Sequence, residues 1–87
     1  MQIVQWNANK AKLIKETRNI DFERVGSMIT NSDFLAILEI PNRNCQEMYI
    51  LNYDGYAVCV PFVENEREIF IKTAFKSRKW TKKMRRK

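Results

Sequence analysis

Residues 47–63 read EMYILNYDGYAVCVPFV, two strongly apolar runs joined by Asp54-Gly55. Type I′ hairpin turns need positive φ at both central positions, and Asp-Gly is among the strongest two-residue signals for one. The stretch predicts a pair of antiparallel strands, and with it a sheet at the centre of the fold. Pro61 removes one ladder donor, so its strand is expected to lie at an edge or to be bulged there. Cys59, inside the run VCV, reads as a small buried thiol.

Toward the N-terminus, FLAILEI (34–40) reads as a further strand, with Glu39 on the side of Leu35 and Ile37 and a loop at Pro41-Asn42-Arg43-Asn44. Before it the period becomes helical. FERVGSMIT (22–30) sets Phe22, Val25, Met28 and Ile29 on one face behind Asp21 as N-cap. ANKAKLIKET (8–17), capped by Asn7, spaces Ala8, Ala11 and Ile14 three apart with Leu13 beside them, and IVQW (3–6) opens as a short strand. Gly26 weakens the second helix by about 1 kcal/mol relative to Ala.

Toward the C-terminus, Glu64-Asn65-Glu66 turns the chain into REIFIKTAF (67–75), a last strand with Ile69, Ile71, Thr73 and Phe75 on its core side and Lys72 on the other. KSRKWTKKMRRK (76–87) follows as a terminal helix. Its narrow face carries Ser77, Trp80, Thr81 and Met84, while Arg78, Lys82 and Arg85 form one basic stripe and Lys79, Lys83 and Arg86 another. The order β-α-α-β-β-β-β-α within a single domain, 1–87, predicts an α+β fold: an antiparallel sheet covered by helices on one face.

Charge is divided unevenly along this chain. Residues 1–75 carry eight Lys/Arg against ten Asp/Glu, net −2, whereas residues 76–87 carry eight Lys/Arg and no acid, net +8. A nearly neutral body with a cationic end is the footprint of a nucleic-acid contact, or of an acidic protein partner. No apolar stretch reaches the roughly 20 residues that span a bilayer. MQIVQWNANK lacks the pattern of a secretory signal, and two cysteines without a paired CxxC suggest a reducing, cytoplasmic home.

The same composition narrows the chemistry. Without histidine there is no Ser-His-Asp or Cys-His arrangement, and Gly26 and Gly55 are too few for a phosphate-cradling loop. Nothing calls for a metal or a cofactor. One reaction stays open: RNA cleavage in which the 2′-OH attacks its own phosphate. It needs only in-line orientation, cations for the extra negative charge, and proton transfer. Lys72, Arg78, Lys79 and Glu39 are the residue types for such a site, with Lys72 and Arg78 expected to share one phosphodiester. If four cations meet single-stranded phosphates, the logarithmic salt slope is about −2.8, and fourfold more salt costs about 50-fold in affinity.

Four segments carry a resemblance to a known family: Trp6-Asn7 with Lys10, the helix start Ile20-Asp21-Phe22-Glu23, NYDGYAVCVPFVE, and IFIKT followed by SRK. Together they resemble BrnT-like toxins of bacterial type II toxin–antitoxin systems, related in fold to the RelE/ParE ribonuclease toxins. The resemblance implies a cytoplasmic, metal-independent endoribonuclease that cleaves messenger RNA, free or on the ribosome, and blocks translation until a cognate DNA-binding antitoxin neutralises it. It also implies functional roles for Lys72 and Thr73, for Ser77, Arg78 and Lys79, and for Trp6 and Lys10. Lys82, Lys83 and Arg85 extend the RNA-binding set. The chain departs from the pattern at Ile40 and Lys76, where the family carries histidine and proline, which leaves Glu39 as the acid–base candidate. The alternative is a non-catalytic basic module that binds nucleic acid or a partner protein.

Overall fold

The computed structural model describes residues 3–40 and 46–85, the side chains of Met84 and Arg85 excepted. The loop expected at 41–44, the last two residues of the terminal helix and the RNA contact assigned to Arg85 lie outside the described residues. Six strands and three helices follow in the order β1 (Ile3–Trp6), α1 (Ala8–Arg18), α2 (Phe22–Thr30), β2 (Ala36–Glu39), β3 (Glu47–Tyr53), β4 (Tyr56–Glu64), β5 (Glu68–Ile71), β6 (Phe75–Lys76) and α3 (Arg78–Arg85). They form one sheet of order β1-β5-β4-β3-β2, with β6 also on β4.

Local chemistry sets these boundaries. The Asn7 side chain accepts from the Lys10 N–H at 3.1 Å and starts α1, which ends at Asn19 in the left-handed region (φ 56°). Asp21 accepts from the Glu23 N–H at 2.9 Å and starts α2. Asp54 (φ 54°) and Gly55 (φ 87°) make the expected turn. Arg24 from α2 grips that turn, donating to both Asp54 carboxylate oxygens at 2.8 and 2.6 Å while lying 4.3 Å from the centre of the Tyr53 ring. The hydrogen bonds from Arg24 hold the Asp54 carboxyl below its usual range.

Two expectations give way. The sheet is mixed, because β1 runs parallel to β5 while every other pairing is antiparallel. The first strand is followed by two helices rather than a turn, so it reaches the sheet beside β5, its partner from far along the chain. Helices also cover both faces. Tyr49, Leu51, Val58, Val60 and Phe62 face one way and bury Ile14, Ile20, Phe22, Val25 and Ile29 of the α1–α2 layer. Ile50, Ala57 and Cys59 alternate with them, face the other way and pack against Trp80 of α3.

Within α1 only Ile14 is buried; Leu13 is exposed. Gly26 lies in the buried face of α2 because Trp6 rests on it. A Cβ built there comes within 2.8 Å of the Trp6 Cζ3, and Trp6 meets Phe22 edge-on at 6.1 Å. Among the described residues no helix is long and apolar enough to cross a membrane.

Gly26→Ala is expected to lower stability by about 1–3 kcal/mol, since the indole must shift and the packing cost exceeds the gain in helix propensity. Urea unfolding of the two proteins measures it, and a variant at least as stable as the parent contradicts the packing described.

Candidate nucleic-acid interface

The segment expected to be one strand, residues 67–75, is two. β5 pairs Phe62 with Ile71, whereas β6 pairs Cys59 with Phe75. Three residues, Lys72 to Ala74, therefore oppose two, Val60 and Pro61, which defines a β-bulge. Pro61 explains its position. Lys72 donates to the Pro61 carbonyl at 2.9 Å, and the return bond of such a pair needs an N–H that proline lacks. β4 is central, so the irregularity foreseen at Pro61 appears in the neighbouring chain segment.

The bulge changes which side chains face inward. Ala74 takes the core position and Phe75 turns to the outer face, reversing the sides expected for Thr73–Phe75. Arg18, at the end of α1, holds this geometry. Its Nη1 donates to the Ala74 carbonyl at 2.8 Å and reaches the Thr73 hydroxyl at 3.4 Å. Nothing in the sequence singles Arg18 out, since its partners lie 55 and 56 residues away.

A groove of about 440 Å³ opens beside the bulge. Ile40, Met48, Pro61 and Phe75 supply its apolar surface, and Lys10, Lys72, Thr73 and Gln46 its polar rim. Lys10 arrives from the first turn of α1 and Lys72 from the end of β5, so two elements distant in sequence place ammonium groups at one opening. The structure thus brings together Lys10, Lys72 and Thr73.

Arg78 and Lys79 leave the groove on α3. Lys72 is level with Pro61 and Ser77 with Ala57, whose carbonyl accepts the Ser77 N–H at 2.9 Å. Four β4 residues separate those levels, about 13 Å. Among the described residues, the cation that shares the groove with Lys72 is Lys10, not Arg78.

Ser77 has a structural task. Its hydroxyl accepts from the Trp80 N–H at 3.2 Å and caps α3, and its carbonyl accepts the Thr81 hydroxyl at 2.6 Å. The buried Thr81 oxygen in turn accepts the Ala57 N–H at 2.9 Å, stapling α3 to β4. Cys59 is sealed beneath; burial pushes its thiol pKa up, partly offset by a hydrogen bond with Ser77. Docking this face turns Arg78, Lys79 and Lys82 to solvent, and among the described residues no acid forms an ion pair with them. Lys83 lies 4.6 Å from the centre of the Trp80 ring, at the rim of an apolar cleft with Leu35, Ala36 and Ile50.

Two candidates fall elsewhere. Trp6 is packed against Phe22 and Gly26, so its ring belongs to the core layer and not to an RNA surface. Glu39 pairs with Glu47 on the β2–β3 ladder, one residue out of phase with Leu38 and Met48. It therefore faces away from the groove, three strand spacings or about 14 Å from β5. Tyr49, whose hydroxyl pKa is raised by burial and by Glu64 and Glu47, lies on that same opposite face. Among the described residues lining the groove there is no carboxylate.

Comparison with models of known protein families, with curated proteins and with solved structures finds no match to this chain.

Thr81→Val keeps the shape of the staple and removes the acceptor of a buried N–H, at a cost of about 1–3 kcal/mol. In a Cys45→Ser background, Cys59 should then react with a thiol reagent roughly tenfold faster or more. Unchanged labelling contradicts the staple.

Proposed function

We propose that the chain is the toxin of a bacterial toxin–antitoxin pair, a metal-independent endoribonuclease whose cleavage of RNA stops translation. The observation that supports this reading best is the meeting of Lys10, Lys72 and Thr73 at one open groove, beside a helix whose Arg78, Lys79 and Lys82 point to solvent. In this reading the RNA backbone crosses the outer face from the groove to α3. The attacking 2′-OH belongs to the substrate. It gives its proton to solvent water and bonds to its own phosphorus as the 5′-oxygen departs and takes up a proton, giving a 2′,3′-cyclic phosphate and a 5′-hydroxyl end. Lys72 and Lys10 stabilise the charge that builds on the phosphoryl oxygens, and Thr73 orients them. Arg78, Lys79 and Lys82 hold neighbouring phosphates. An antitoxin segment rich in Asp and Glu is suited to neutralise the same cations.

A second reading, a binding module without catalysis, is favoured by one observation: no carboxylate lines the groove among the described residues, and Glu39 faces away. Incubation with RNA in the presence of a chelator separates the two. Cleavage with cyclic phosphate ends is expected from the parent chain, and Lys72→Ala should reduce its rate about 100-fold or more. Arg78→Ala should relieve the growth arrest caused by expressing the chain alone. Bound but intact RNA at every protein concentration leaves the binding module standing.

A further inference from the structure

The bulge at 72–74 does more than end a strand. Phe70 pairs with Val63, Lys72 is level with Pro61, and Phe75 pairs with Cys59. Val63, Pro61 and Cys59 alternate along β4, so the three neighbouring side chains stand on the same outer face. Successive members are two strand residues apart, about 6.6 Å. Both rings are 37% exposed and Lys72 is exposed. Without the extra residue, Phe75 would pair with Val58, a core position, and the second ring would be lost to the interior.

We propose that Phe70, Lys72 and Phe75 form a stacking ladder that takes two unpaired bases with a phosphate between them, and so restricts the chain to single-stranded RNA. The inference rests on the RNA reading of this face and adds the state of the RNA and the residues that select it. An aromatic-cation-aromatic row is the arrangement by which single strands are held, since every base offers a π-face and every linkage a charge. The two rings are level with β4 residues four apart, about 13 Å, roughly four times the 3.4 Å rise of a stacked strand, so the ladder engages nucleotides pulled out of mutual stacking. A duplex keeps its base faces covered and offers the rings nothing. Glu68, two residues before Phe70 on the same face, closes the row by repelling the next phosphate. Sequence preference is therefore expected to be weak and strandedness preference strong.

The test is fluorescence anisotropy with a labelled, unstructured 2′-O-methyl decamer and with its duplex. The 2′-O-methyl group removes the nucleophile, so binding is read even if the chain cleaves nothing. Phe70→Leu and Phe75→Leu should each weaken single-strand binding about 5- to 100-fold with an unchanged salt slope. Phe75→Tyr, which keeps the ring, should restore it. Lys72→Ala should instead lower the magnitude of the logarithmic salt slope by about 0.7. The duplex should bind more weakly and ignore both Phe→Leu changes. Folded Phe→Leu variants that bind as the parent does overturn the ladder. So does a duplex bound as tightly as the single strand, or no measurable binding of the decamer.

Discussion

A single missing N–H organises the grooved outer face of this molecule. Pro61 stands in the middle of the central strand β4 and cannot return the hydrogen bond that Lys72 gives it. The ladder slips by one residue there, and the slip fixes what lies beyond. Ala74 fills the core position, small enough to sit beneath α1, and Arg18 clamps its carbonyl from that helix. Lys72 and Phe75 are left on the outer face beside the first turn of α1. A regular strand would have buried the ring.

The second constraint is the staple that docks α3. Ser77, Thr81 and Ala57 exchange hydrogen bonds that leave no choice of helix orientation. With Trp80 and Thr81 turned to the sheet, the flanking Arg78, Lys79 and Lys82 face outward. The two devices work on the same face: one sets cations at a groove, the other a charged stripe next to it. Positive charge clustered in this way repels itself, and in the function proposed above a polyanion relieves that repulsion.

What the sequence disclosed and what it hid divide along local and non-local lines. The Asp54-Gly55 turn, the Asn7 and Asp21 caps and the Ser77-Trp80-Thr81 part of the anchor face of α3 are short-range chemistry, and each stands where the residues placed it. Pro61 announced an irregularity, but on its own strand or at an edge, whereas β4 is central and the extra residue lies in the partner segment 72–74. The parallel pairing of β1 with β5 joins segments about 65 residues apart and leaves no periodic trace. Trp6 and Gly26 are a matched pair legible only in three dimensions: glycine looked like a weakness in α2 until the indole was seen resting on it. Glu39 has the chemistry of a proton carrier, yet the alternation of β2 turns it to the face away from the groove. Arg18 carries no local signal, because the carbonyl it clamps is more than fifty residues away.

The most direct measurement is amide chemical-shift mapping of the labelled protein titrated with an uncleavable single-stranded oligonucleotide. Saturable shifts are expected to be largest over residues 70–79 and at Lys10, continuing along α3. Shifts confined to the Asp54-Gly55 turn or to the β2 edge, or none that saturate, contradict the proposed RNA face.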